Sequence, residues 1–341
     1  MTQRLILHIG HPKTGTTTLQ KTLQASRAAL IGAGILHPNI GKNSNHKALL
    51  PYLASGASTV QLLGPRSSTI VKDSAQKWAG LVEEVRTSNP NTIILSSESF
   101  SQNRGGDALK NMGSHLQPLA HEIVIAAYLR EPASLALSRA QQQLKSKPNF
   151  TLRPNDYYRS MLEPYKTSGL GSMTVRIFDR KTLEGGDIVK DFFAQHVPHF
   201  APERLSRLKD DNTTFSAEAM ALLQEVHRQE RSLPWRKASL SIETADRELD
   251  GFTRPRMHDH VRQAIQARCT DLGWLKDEFG LEFPKIAAGA MLHSDADRLC
   301  DALDRVEDMC VIDADRKAAL WNAVFKNQRP INRLRRILKI D

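Results

Sequence analysis

Leu5-Ile6-Leu7-His8-Ile9-Gly10-His11-Pro12-Lys13-Thr14-Gly15-Thr16-Thr17-Thr18-Leu19-Gln20 is the stretch on which the reading of this chain turns. Leu5 to Ile9 is a short apolar run of strand length. Gly10 and Gly15 bracket a turn. From Thr16 a helix is expected over 16–31, with Leu19, Leu23, Ser26 and Leu30 on one face and Gly32 and Gly34 as its stop. A strand, a glycine turn and a helix start aim several backbone N–H groups at one point. The positive end of the helix dipole, about 0.5 elementary charge, lies there too. Lys13 adds a full positive charge, and Thr16 and Thr17 add hydroxyl donors. The group that fits such a point is a phosphate; the plainer alternative is an ordinary helix start with Lys13 in water.

A second run, Ile123-Val124-Ile125-Ala126-Ala127-Tyr128-Leu129, reads as a buried parallel strand. It ends in Arg130-Glu131-Pro132, and Pro132 suits a helix start because its missing N–H costs nothing there. Arg130 then stands at the carboxyl end of a strand, where ligands of open α/β sheets bind. Ser138 follows on the helix less than two turns later, so both side chains can grip one phosphate. Each charge-assisted hydrogen bond of that kind contributes roughly 1.5–3 kcal/mol. Taken alone, the segment also reads as Arg130 paired with a neighbour and Ser138 on the surface.

The ATP-binding loop GxxxxGK[ST] sets its lysine after the second glycine. Here Thr16 holds that place and Lys13 precedes Gly15. The order Pro12-Lys13-Thr14-Gly15-Thr16-Thr17 resembles instead the 5′-phosphosulfate loop of the sulfotransferases that use 3′-phosphoadenylyl sulfate. Arg130-x-Pro132 with Ser138 is similar to the 3′-phosphate clamp of the same family, and the two motifs stand in family order. The resemblance, closest to bacterial members related to carbohydrate sulfotransferases, spans residues 1–180 and fades beyond, although Trp274 to Pro284 looks like a familiar closing segment.

The resemblance implies 3′-phosphoadenylyl sulfate as donor co-substrate, with no metal. It implies a donor site of Lys13, Thr14, Gly15, Thr16, Thr17, Thr18, Arg130 and Ser138, in which Lys13 neutralises the bridging oxygen as the sulfuryl group leaves. The acceptor implied is a hydroxyl or amine of a carbohydrate or small molecule.

Sulfuryl transfer also needs a base. Glu98, in Leu95-Ser96-Ser97-Glu98-Ser99-Phe100, follows the apolar strand Thr92 to Ser96 and falls on the same sheet edge as Lys13 and Arg130. In the family a glutamate or histidine facing the loop often serves as base. The alternative is that Glu98 caps the next helix or pairs with a basic neighbour. His46, after Asn43 and Asn45 in a loop-like stretch, is the second candidate, since an imidazole needs little tuning near neutral pH. His8 lies inside a strand and reads as a core histidine, while His11 flanks the loop.

With 341 residues, 40% apolar and 25% charged, the chain can bury a full core. Strands at 92–96, 122–129 and 173–178 alternate with helices near 74–87, 133–147 and 156–165. Helices at 216–230, 257–272, 295–307 and 313–326 follow. The expected fold class is α/β, a P-loop-type parallel sheet with helices on both faces and a helical C-terminal extension. Residues 1–200 form the nucleotide-binding core in this reading, and 201–341 a mainly helical part of the same domain.

The net charge of +10 favours an acidic partner, met in part by a polyphosphorylated donor. With 6% aromatic residues and no basic-aromatic motif, no nucleic acid is expected. No run approaches the roughly 18 apolar residues of a membrane span. The N-terminus enters a strand without a signal segment, and Cys269, Cys300 and Cys310 are few and scattered, which points to the cytoplasm. The basic tail Arg329 to Lys339 carries Ile331, Leu334 and Leu338 on one stripe, suited to a membrane surface, an acidic partner or its own domain. Asn212 to Ser216 resembles a family loop over the nucleotide and also reads as a plain helix cap. Two other functions remain open: an ATP-dependent kinase, disfavoured by the missing lysine and by the lack of an apolar strand ending in Asp, and a non-catalytic nucleotide or polyanion binder.

Overall fold

The computed structural model describes residues 2–41, 44–54, 67–102, 105–152, 158–206, 214–231, 235–283 and 291–326. Asn43, Asn212, Thr213, Pro284 and the basic tail lie outside the described residues. Strands β1 (Thr2–His8), β2 (Ile35–Leu36), β3 (Thr92–Ser96), β4 (Ala120–Leu129) and β5 (Ser172–Ile177) form an all-parallel sheet in the order β2-β3-β1-β4-β5. The described helices of eight residues or more begin with α1 (Thr16–Ala25), α2 (Ser67–Ser88), α3 (Gly106–Leu116), α4 (Pro132–Leu144), α5 (Tyr158–Thr167) and α6 (Ile188–His196). They continue with α7 (Ala217–His227), α8 (Trp235–Glu248), α9 (Asp259–Ala267), α10 (Leu272–Phe279), α11 (His293–Ala302) and α12 (Ala314–Lys326). The fold is therefore α/β with a parallel sheet. None of these helices is long and apolar enough to cross a membrane.

The central strands read as continuous apolar runs because both sheet faces are covered. Ile6, Ile94, Ala126 and Tyr128 share one core with Leu19 and Leu23 of α1 and with Val189, Phe192 and Phe193 of α6. Leu5, Leu7, Ile93, Leu95, Ile125 and Leu129, of opposite parity, have no exposed surface on the other face. Ile6 pairs in register with Ile94 on one side and Val124 on the other. The connection leaving β1 runs to the β2 edge, whereas the one leaving its neighbour β3 crosses to β4. Open sheets bind ligands at the carboxyl ends of strands where connections diverge in this way.

The chain divides into two compact units. The first, Met1–Glu131, Asp156–Lys209 and Asp271–Phe283, holds the sheet. The second, Pro132–Asn155, Asp210–Thr270 and Pro284–Asp341, is helical where it is described. α4, expected with the sheet, belongs to the second unit because Ala133, Ala136, Ala140 and Leu144 enter a core with Met220, Leu223, Val261 and Ile265. Residues 271–283 rejoin the first unit: the Asp271 carboxylate accepts the Arg159 backbone N–H at 3.0 Å, and the Phe283 and Tyr158 rings lie 5.6 Å apart.

Two further expectations change. The helix predicted over 16–31 stops at Ala25, and a short separate helix covers Arg27–Ile31. α6, which the sequence pattern does not announce, forms behind Asp187, whose side chain caps the Val189 and Lys190 N–H groups at 2.8 and 3.0 Å.

In the helical unit a buried polar cluster ties α7, α8 and α12. Arg316 Nη1 donates to Asp246 Oδ1 at 2.8 Å, to Ser216 Oγ at 2.9 Å and to Glu218 Oε2 at 3.3 Å. Ser216 in turn donates its backbone N–H and its hydroxyl to the two Asp246 oxygens at 2.8 and 2.7 Å. Asp246, Glu218 and Arg316 are 1%, 3% and 8% exposed, so the arginine is what keeps two carboxylates buried. Arg316→Met is expected to lower unfolding stability by about 3–5 kcal/mol, the range for stripping a buried charge of its partner. Urea denaturation measures it, and a loss near zero would show that the cluster is already hydrated.

Candidate functional site

The turn between β1 and α1 is built on backbone that side chains resist. Gly10, Lys13 and Gly15 have φ of 33°, 65° and 75°. A Cβ at Gly10 would lie 2.6 Å from Thr16 Cγ2, and one at Gly15 would lie 3.0 Å from Ile188 Cγ2 and 3.2 Å from Phe178 Cε2. Glycine is what lets α1 start this close to the sheet edge. Lys13 is the exception, a non-glycine residue in the left-handed region, at a cost of about 1–2 kcal/mol. Its carbonyl is held by Arg130 Nη1 at 3.0 Å. Thr14 is buried and donates its hydroxyl to the His11 carbonyl at 2.6 Å.

Gly15 is the N-cap of α1, with no side chain to meet the first N–H groups, and no acidic residue stands in the first turn. Left-handed residues beside an uncapped helix start are the backbone from which anion sites are made. Lys13 and Thr18 are half-buried, Thr16 is buried and Thr17 exposed.

Glu98 opens the turn Glu98–Gln102 directly behind β3 and is half-buried. It does not cap its own turn: the Thr16 hydroxyl donates to its Oε1 across the β1–β3 boundary. The turn is pinned from outside, by the Tyr165 hydroxyl on the Phe100 carbonyl at 2.8 Å and by the Ser97 N–H on the His8 carbonyl at 3.1 Å. Arg130 follows β4 and is half-buried, with its own carbonyl accepting the Tyr158 hydroxyl at 2.6 Å. Lys13, Thr14, Gly15, Thr16, Glu98 and Arg130 thus meet at the carboxyl ends of the three adjacent strands β3, β1 and β4. Ser138 is half-buried on α4 and belongs to the helical unit.

His46 is not with them. It is 1% exposed, and both ring nitrogens serve the framework: Nδ1 accepts the Ser96 N–H at 2.9 Å and Nε2–H donates to the Pro38 carbonyl at 3.0 Å. Its backbone N–H also bonds the Ser96 carbonyl at 2.9 Å, so the residue extends the pairing of β3. No ring nitrogen is left to take a proton from a substrate. His8 is a core histidine, with Nδ1 on Ser96 Oγ at 2.8 Å. His11 is buried with its ring 5.6 Å from that of Tyr158.

Sequence reasoning missed what supports the loop. Asp191 of α6 is fully buried and accepts the Tyr128 hydroxyl at 2.8 Å, the Arg176 guanidinium at 2.8 and 2.9 Å and the Glu184 N–H at 2.9 Å. This network fixes the helix whose first residue, Ile188, walls Gly15. Tyr128 and Arg176 are register partners on β4 and β5, which places both side chains on the α6 face. A cavity of about 360 Å³ lies on α6, lined by residues that include Glu184, Lys190, Ala194, Phe200 and Glu203, and none of the candidate residues lines it. Among the described residues no group of three or more His, Cys, Asp or Glu side chains is placed to hold a metal ion. No protein-family model matches the chain, and no curated protein or solved structure matches it either.

Four buried histidines stay neutral. Burial pushes His8 and His37 down to about 3, and His46 and His196 down to about 4, from an ordinary value of 6.5. The folded values lie below the unfolded one, so this stabilisation is complete above about pH 6.5 and is lost as pH falls toward 3–4. Each group accounts for up to about 1.4 kcal/mol per pH unit in that window. The melting temperature is expected to fall steadily from pH 7 to pH 5; a flat profile would mean the imidazoles are solvated.

Proposed function

We propose that the chain is a sulfotransferase that moves the sulfuryl group of 3′-phosphoadenylyl sulfate to a hydroxyl or amine of a carbohydrate or small-molecule acceptor. One observation carries the reading. Side chains from the strands on either side of β1 both reach the loop, Glu98 through the Thr16 hydroxyl and Arg130 through the Lys13 carbonyl. A donor-sized anion at the start of α1 then meets uncapped N–H groups, two cations and one carboxylate at a single sheet edge. The reaction class that uses cations beside a lone carboxylate is group transfer with a base.

In this reading the loop binds the 5′-phosphosulfate and Arg130 takes the 3′-phosphate. Glu98 accepts the proton of the acceptor hydroxyl, whose oxygen attacks sulfur in line. The bond from sulfur to the bridging oxygen breaks, and its electron pair stays on the leaving phosphate. Lys13 and the N–H groups of α1 stabilise that charge, a preorganised arrangement that needs no rearrangement during the reaction. The cytoplasm is the compartment that suits it, since Cys269, Cys300 and Cys310 are buried free thiols.

A thermal-shift titration tests the donor side. Adenosine 3′,5′-bisphosphate is expected to stabilise the protein without magnesium, and ATP and ADP far less; magnesium-dependent stabilisation by ATP alone would make this a phosphotransferase. Lys13→Ala is expected to lower turnover by an amount equivalent to about 2.7–4 kcal/mol, the scale for losing one preorganised donor. Glu98→Gln should keep bisphosphate binding while turnover drops roughly a hundredfold or more. Normal turnover in either variant sinks the assignment of that residue. Arg130→Ala is expected to weaken the 3′,5′-bisphosphate more than the 5′-monophosphate. Both should suffer, because the same guanidinium holds the Lys13 carbonyl; calorimetry compares them, and equal loss would confine Arg130 to that loop contact.

A further inference from the structure

The Thr16 hydroxyl stands between the two halves of the proposed chemistry. It belongs to the first residue of α1, beside the uncapped N-cap Gly15, so an anion seated at this helix start lies within its reach. Its hydrogen, however, is already given to Glu98 Oε1. A hydroxyl carries a single hydrogen and donates to one acceptor at a time. The packing around Thr16 also limits how it can respond. A Cβ at Gly10 would lie 2.6 Å from Thr16 Cγ2, 3.4 Å from Glu98 Cγ and 3.5 Å from Glu98 Cα, so the three residues are packed at one point. With Cγ2 seated against Gly10, the Oγ position is set, and the hydrogen can still turn about the Cβ–Oγ bond.

Resting on the sulfotransferase reading, we infer that Thr16 couples donor binding to the base: a phosphate oxygen at the start of α1 takes the Thr16 hydrogen from Glu98 and so frees the carboxylate to receive the acceptor's proton. Without donor, one acceptor position of the Glu98 carboxylate, on Oε1, is taken by the Thr16 hydrogen. With donor in place the hydrogen points at the phosphate, where it adds to the charge stabilisation supplied by Lys13. The order of events follows: donor first, acceptor second. Thr16 is in this sense a positioning residue for Glu98, acting through one rotating hydrogen and no movement of backbone.

Difference infrared spectroscopy of the full-length protein tests this, with adenosine 3′,5′-bisphosphate as the probe and calorimetry to establish that it binds. A carboxylate that loses a hydrogen bond shifts its stretching bands, so the bound-minus-free spectrum is expected to contain a carboxylate band pair. The pair should vanish in Glu98→Gln, vanish in Thr16→Val and persist in Thr16→Ser, which keeps the hydroxyl. The same band pair in Thr16→Val as in the unaltered protein overturns the coupling. So does bisphosphate binding to the unaltered protein with no band that depends on Glu98, a comparison that holds even if Thr16→Val fails to fold. Such binding without the band leaves the donor reading intact, whereas no bisphosphate binding at all removes both.

Discussion

The hydrogen bond from Arg130 to the Lys13 carbonyl is the contact on which the rest of the site depends. It joins the end of β4 to the turn behind β1 and holds a lysine in a left-handed conformation that costs about 1–2 kcal/mol in isolation. The main chain therefore cannot relax into the ordinary turn that would carry Lys13 away from the helix start. The glycines on either side do the complementary work, since Gly10 and Gly15 remove the two Cβ atoms that would push α1 off the sheet edge. What results is a positively charged, uncapped helix start at the point where the connections of β1 and β3 diverge.

Support for that point comes from a second layer of buried polar contacts. Asp191 gathers Tyr128, Arg176 and the Glu184 N–H, and so locks α6 against β4 and β5. On the other flank, His46 bonds Ser96 through both its ring and its backbone, so the last residue of β3 is held from a loop 50 positions earlier. A neutral imidazole suits that task because it offers one donor and one acceptor in fixed directions. Protonation would turn the acceptor into a donor facing the Ser96 N–H. The framework and the acid sensitivity expected of the fold thus share one cause.

The parts of the fold legible in the sequence are those whose signal is local. β1, β3 and β4 are apolar runs between turn residues, and the glycines around Lys13 announce both the turn and the helix behind it. β2 is two residues long, Ile35 and Leu36, too short for any periodicity to show. α6 is hidden because Asp191 and His196 are buried in it, and the burial of Asp191 makes sense only beside Arg176 of another element. The same limit applies to the site. Lys13, Glu98 and Arg130 each declare themselves by standing at a strand end, but the link from Thr16 to Glu98 spans 82 positions and exists because β1 and β3 are neighbours. The bonds of His46 are hidden in the sequence for the same reason: its loop looks open until Ser96 and Pro38 are beside it. The exchange of α4 to the helical unit depends on which core Ala133, Ala136 and Ala140 enter, and one apolar stripe on a helix does not name its partner.

Glu98 is the electrostatic oddity of the arrangement. A carboxylate beside a helix start that favours anions repels any anionic ligand that the start attracts. Its position is nevertheless firmly built, with Thr16 bonded to Oε1, Ser101 bonded to its carbonyl at 2.6 Å and Gly10 cut back to make room. The same positive helix end that would draw a phosphate also stabilises the Glu98 carboxylate. In the proposed sulfotransferase reading that carboxylate has a use, proton acceptance, which a simple nucleotide binder on this scaffold would not need.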